Sequence, residues 1–152
     1  MRKFLPAALP ALLAAAVLVG CGEDAAAANR YVQDVNQAQQ RFAASLQQLT
    51  GRITSESTRA SDQRTLKQVE QLIAEAVGDL RDIEPPDEVR GQHQAFIDLF
   101  QSYSKELDPL AESLDADPGQ QLRANRRYVE ASNRFAGRVD RIIEQINQRL
   151  DS

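Results

Sequence analysis

The sequence predicts an all-α protein, an antiparallel up-down-up-down four-helix bundle that follows a cleaved signal peptide. Three observations lead there. Apolar residues recur every three or four positions in four successive stretches, the period of a helix with one buried face. The composition suits helix over sheet: Gln is frequent, 15 of the 18 basic residues are Arg, and the 152 residues include 7 Gly and no Trp. Two of the connections are short, at Pro85-Pro86 and at Asp115 to Gly119, and short connections force neighbouring helices to run in opposite directions. The layout this implies is a signal segment over 1–20, Cys21 and a short tether over 21–28, and the bundle over 29–152.

Arg2 and Lys3 precede an apolar run, Phe4 to Val19, and a small residue, Gly20, stands before the single cysteine, which is the order of a secretory signal. The run falls short of the roughly 20 residues that cross a bilayer comfortably, and Pro6 and Pro10 weaken it as a permanent span. Leu18-Val19-Gly20-Cys21 resembles the bacterial lipobox. The resemblance implies that Cys21 carries a diacylglycerol thioether and becomes the first residue after cleavage. It also implies a lipid-anchored protein on the extracytoplasmic face of a cell membrane. The plainer alternative for Cys21 is a small buried residue in a signal cut elsewhere. With one cysteine in the chain, an internal disulfide is excluded.

Beyond residue 20 the chain carries 16 basic and 22 acidic residues, a net charge of −6, which argues against nucleic acid as a partner. The first helix is expected from Asn29 to Ile53, with Val32, Val35, Phe42, Leu46, Leu49 and Ile53 on one face and Gln39 in the remaining slot. The alanines before Asn29 extend it if the tether is itself helical. Thr54 to Ser61 is polar and reads as a loop or a frayed extension. A second helix follows from Asp62 to Ile83, capped by Ser61 or Asp62, with Leu66, Val69, Ile73, Ala76, Leu80 and Ile83 inward and Leu72 and Val77 beside them.

Pro85-Pro86 ends that helix, and Pro86 is placed to begin the third, with Asp87 and Glu88 favoured by its dipole. Val89, His93, Phe96, Phe100, Tyr103, Leu107, Leu110 and Leu114 then form the cleanest stripe in the chain. Asp108-Pro109 predicts a kink or a short break in it. Asp117, Pro118 and Gln120 make a cap, a first turn and a capping box for the fourth helix. Its stripe reads Leu122, Val129, Ala136, Val139, Ile143, Ile146 and Leu150, flanked by Tyr128, Phe135 and Ile142. Residues 85–117 hold eight acids and two bases, whereas 118–152 hold seven Arg and four acids, so helices three and four are expected to pair along their flanks.

The sequence offers little chemistry. If the thiol is spent on lipid, one histidine remains, and no Ser sits in a Gly-x-Ser-x-Gly turn, so no enzyme is expected. No metal site or cofactor is expected either: a di-iron bundle wants Glu three residues before His93, where Arg90 stands, and haem attachment wants two cysteines. His93 reads as a core-edge histidine bonded to a carbonyl near the Pro-Pro turn, or as a ligand or partner contact at the end of the bundle near Val32, Ile83 and Ile146. Phe96, Phe100 and Tyr103 read as core, or as the lining of a small-ligand or metal pocket around His93. Arg123, Arg126, Arg127, Arg134, Arg138 and Arg141 read as a solvated face paired to helix three, or as a surface for an acidic partner.

Leu80-x-x-Ile83-x-Pro85-Pro86, followed by His93 and an aromatic-aliphatic stripe, resembles the small helical lipoproteins of high-GC Gram-positive bacteria. That resemblance implies an anchored helical module and a shared histidine. The functional expectation is a non-enzymatic binding or scaffold module for an envelope protein, held to the membrane through Cys21, with the connections at 54–61 and 115–119 facing away from it.

Overall fold

The computed structural model describes residues 23–53, 57–113 and 118–151. Four helices account for nearly all of them: α1 (Glu23–Thr50), α2 (Arg59–Arg81), α3 (Arg90–Ser113) and α4 (Pro118–Leu150). One 3₁₀ turn, Asp87–Val89, leads into α3, and no strand occurs among the described residues. The protein is all-helical, in keeping with a helical bundle. The lipobox residues Leu18 to Cys21, residues 54–56 of the first connection, and Leu114 to Asp117 lie outside the described residues.

The helix boundaries differ from expectation at several points: α1 ends at Thr50 and not Ile53, α2 spans Arg59–Arg81 and not Asp62 to Ile83, and α3 begins at Arg90 after the 3₁₀ turn and not at Pro86. Residues 23–28 are the first turns of α1, so the alanines continue the helix, and Ala28 is buried. Alanine has the highest helix propensity, and no breaker stands between Glu23 and Val32. The α2 cap is Thr58, not Ser61 or Asp62: its backbone is extended and its side chain accepts from the Ser61 N–H at 3.3 Å. Asp62 instead falls in the first helical turn, where its charge favours the dipole. Of the kink or short break expected at Asp108-Pro109, the break does not occur, and α3 continues as helix to Ser113. Pro109 and Lys105 are exposed, so water can take the carbonyl that the missing Pro109 N–H leaves open.

The core joins all four helices. Val35, Phe42, Val69, Ile73, Leu80, Phe96, Phe100, Leu107, Phe135, Val139 and Ile146 are buried in one cluster. Tyr31, Ala38, Ile97, Leu99 and Ala131 belong to it as well, although the apolar stripes did not include them. Val129 is the opposite case: it belongs to the α4 stripe by spacing and is 44% exposed. Val129, Ala136, Ile143 and Leu150 recur every seven residues, and a straight helix drifts by about 20° per heptad. By Val129 that drift has carried the row off the core, and Ala131 fills the inward position.

Packing runs in sequence, α1 on α2, α2 on α3 and α3 on α4, with the 3₁₀ turn against α4. Arg41 of α1 meets Asp79 of α2 at 2.9 Å, and Arg52, in the turn just after α1, meets Gln68 of α2 at 3.2 Å. Tyr103 meets Ser132 at 2.9 Å across α3 and α4. The Phe42 ring touches Phe100 of α3 and Phe135 of α4, at centroid separations of 5.0 and 6.3 Å.

Candidate functional site

Helix α2 ends at Arg81, and its last carbonyls need partners that the helix cannot supply. The Leu80 carbonyl accepts from the chain that turns back, through the Asp82 and Ile83 N–H groups, and also from the His93 ring. His93 reaches it because Pro85-Pro86 and the 3₁₀ turn bring the first turn of α3 directly beside the end of α2. On its other side, His93 Nδ1 lies 3.3 Å from the Tyr31 hydroxyl of α1. Tyr31 is 1% exposed and His93 is 5% exposed.

A neutral imidazole has one N–H and one lone pair. With its N–H given to the Leu80 carbonyl from the other nitrogen, the ring leaves Nδ1 to accept from the tyrosine hydroxyl, a tautomer assigned from these partners. Burial pushes the His93 pKa below its usual value, partly opposed by the hydrogen bond to Leu80. Burial pushes the Tyr31 hydroxyl well up, so it stays a donor at all ordinary pH. His93 therefore fits the core-edge description, with a carbonyl near the Pro-Pro turn as its partner, and in addition ties α1 to α2 and α3.

Phe96, Phe100 and Tyr103 fill the space between helices. Phe96 meets Phe100 edge-on at 5.3 Å, Phe100 meets Phe135 at 5.0 Å, and Tyr103 stacks on Phe135 at 4.3 Å. The Tyr103 hydroxyl is satisfied by Ser132. No group of three or more His, Cys, Asp or Glu side chains suited to a metal ion occurs among the described residues.

The concavity lies elsewhere, one layer outside His93. An open cleft of about 610 Å³ runs between the first half of α1 and the α2–α3 connection. Ala27, Tyr31, Ile83, Pro85 and Pro86 give it an apolar floor and wall. Arg30, Asp34, Arg41, Asp79, Asp82, Glu84, Asp87 and Arg90 line the rest, two of them joined in the Arg41–Asp79 bridge and two in the Arg90–Asp87 contact. Of the expected site residues, His93, Phe96, Phe100 and Tyr103 are not among its walls. Tyr31 connects the two, since one face lines the cleft while its hydroxyl holds His93.

The α1 stripe that starts at Val32 omits Tyr31. The signal was present: Tyr31, Val35, Ala38 and Phe42 are spaced by four, three and four. The cleft itself had no local signature, because it is formed by residues some 50 positions apart.

The arginines of α4 are exposed, as expected for a solvated face. Their expected pairing with α3 is realised among the described residues by one bridge, Arg134 to Glu106 at 3.1 Å. No helix among the described residues is long and apolar enough to cross a membrane. Comparison with protein-family models, with curated proteins and with solved structures finds no match.

Proposed function

We propose that this protein is a non-enzymatic, lipid-anchored binding module, tethered through Cys21 to the extracytoplasmic face of a cell membrane, whose helical bundle engages an envelope protein. The observation that carries the binding role is the cleft beside α1, with its apolar floor and charged rim. A protein interface has the same anatomy, an apolar centre inside a polar, solvated border. The interior, by contrast, is occupied by interlocked aromatic rings. The pairs Arg41–Asp79 and Arg52–Gln68, between α1 with its following turn and α2, and Tyr103–Ser132 and Phe100–Phe135, between α3 and α4, support antiparallel neighbours in an up-down-up-down order. That order brings the start of α1 and the Pro85-Pro86 connection to one end. If Cys21 holds lipid, the cleft is then close to the bilayer, since Ala27 is six residues from the anchor, at most about 20 Å even for an extended chain.

Two experiments separate anchoring from binding. A Cys21→Ser chain should leave the detergent phase on phase separation, and retention there would sink the anchor. Asp82 and Glu84 are exposed on the cleft rim, so Asp82→Arg with Glu84→Arg should leave the fold intact while removing the partner from affinity captures of the envelope. Undiminished recovery of the same partner would place binding elsewhere.

A further inference from the structure

On the reading that the cleft beside α1 is the binding surface, we propose that its occupant is a lysine- or arginine-bearing segment of the protein partner. Five carboxylates and three guanidiniums line the cleft, two negative charges in excess. Arg41 bridges Asp79 at 2.9 Å and Arg90 pairs with Asp87, so two of each sign are already committed. Arg30, Asp34, Asp82 and Glu84 are exposed and form no ion pair among the described residues. Even with Arg30 set against Asp34, one turn along α1, Asp82 and Glu84 stay uncompensated on the α2–α3 connection.

Floor and rim together select the side chain. Ala27, Ile83, Pro85 and Pro86 give an apolar floor beneath the carboxylate border. Lysine and arginine have the matching form, an aliphatic stem that covers apolar surface and a cationic tip that stays at the polar edge. A phosphate, an acidic peptide or an anionic headgroup meets like charge at Asp82 and Glu84, which costs affinity and slows encounter.

The placement of the carboxylates selects a chain over a single ion. Asp34 stands on α1, across the cleft from Asp82 and Glu84 on the connection. They do not converge: no group of three or more His, Cys, Asp or Glu side chains suited to a metal ion occurs among the described residues. A segment with several cationic side chains reaches both walls while its apolar residues cover the floor. A free polyamine brings the cations without apolar side chains for Ile83, Pro85 and Pro86. At about 610 Å³ the cleft has the size of a single-ligand site, so the partner enters it as a segment and not as a broad face.

The test uses the full-length chain in neutral detergent, with a labelled peptide of repeating Ala-Leu-Lys, its Ala-Leu-Gln and Ala-Leu-Glu counterparts, and spermidine as probes. The Lys peptide should bind more tightly than the Gln peptide, with an affinity that falls as salt rises, and the Glu peptide should bind least. Asp82→Asn with Glu84→Gln should weaken the Lys peptide about 3- to 30-fold and leave the Gln peptide and the helical spectrum unchanged. Glu75→Gln with Glu130→Gln makes the same change in net charge on exposed positions outside the cleft, and should alter binding less than about twofold. Ala27→Trp fills the cleft from an exposed position without changing charge, and should weaken both the Lys and the Gln peptides. If no peptide responds to Ala27→Trp, the cleft is not the binding surface and the underlying reading falls too. If the peptides respond to it but Lys and Gln or Glu bind alike, the cleft binds and the cationic partner alone is overturned. Equal losses in the two acid-to-amide variants would reduce the effect to net charge and overturn it as well. Spermidine binding as tightly as the Lys peptide would replace the protein segment with a free polyamine. Self-association of the wild-type chain that Asp82→Asn with Glu84→Gln abolishes would put a second copy of this chain in the cleft instead.

Discussion

His93 is the one histidine in the chain, and its neutral form is the one the fold accommodates, donating to Leu80 and accepting from Tyr31. Its folded pKa lies below the unfolded value, so between the two the unfolded chain binds more protons. Stability is therefore full above about pH 6.5 and declines as pH falls from there towards the folded pKa, by no more than about 1.4 kcal/mol per pH unit for one proton. Glu70 has the opposite sign, because a raised carboxyl pKa relieves a cost on acidification, and it acts in the lower range above the usual carboxylate value. Denaturant titrations from pH 7.5 to 5.5 should show the His93 slope, and His93→Gln should abolish it. Tyr31→Phe removes the donor that favours the neutral ring, so the His93 pKa should rise towards its ordinary value, at a stability cost of about 1 kcal/mol. A single imidazole resonance in a proton NMR titration reads the pKa directly. An unchanged pKa in Tyr31→Phe would mean that burial alone sets it.

At the scale of the helices, Pro109 is where local preference and tertiary packing conflict. A proline inside a helix loses one hydrogen bond and clashes with the carbonyl four residues before it, yet α3 continues to Ser113 because Leu107, 1% exposed, holds that turn in the core. Pro109→Ala should therefore raise the unfolding free energy by about 1 to 3 kcal/mol, seen as a higher thermal midpoint by circular dichroism. A lower midpoint would show that Pro109 stabilises the chain, through the unfolded state or the following turn. The same conflict explains which parts of the helices were legible. Stripes such as Val69, Ile73, Ala76 and Leu80 are readable because burial follows the helical period. Ends are not: Thr58, Ser61 and Asp62 are all competent caps in one polar run, and only the geometry of Thr58 decides among them.

Across the whole molecule, cohesion converges on Phe100. Its ring meets Phe42 of α1, Phe96 of α3 and Phe135 of α4, and Phe135 in turn stacks on Tyr103, so one residue links three helices. Its inward position was legible from spacing, as was its identity as core. Which rings it would touch was not, because edge and stacked contacts depend on how the helices are set against each other. The cleft was illegible for the same reason, being a gap between α1 and the α2–α3 connection and not a property of either. Deleting a buried phenyl ring costs about 3 to 5 kcal/mol, a large share of the 5 to 15 kcal/mol typical of a folded domain. Phe100→Ala should accordingly lower the urea midpoint sharply, and it should weaken the near-ultraviolet tyrosine signal from the Tyr103–Phe135 stack before far-ultraviolet helicity is lost. Val129→Ala, on an exposed side chain of the same bundle, should change stability by less than about 0.5 kcal/mol. If Phe100→Ala proves equally mild, the aromatic cluster is loosely packed, and the space around Phe96, Phe100 and Tyr103 becomes available to a small apolar ligand.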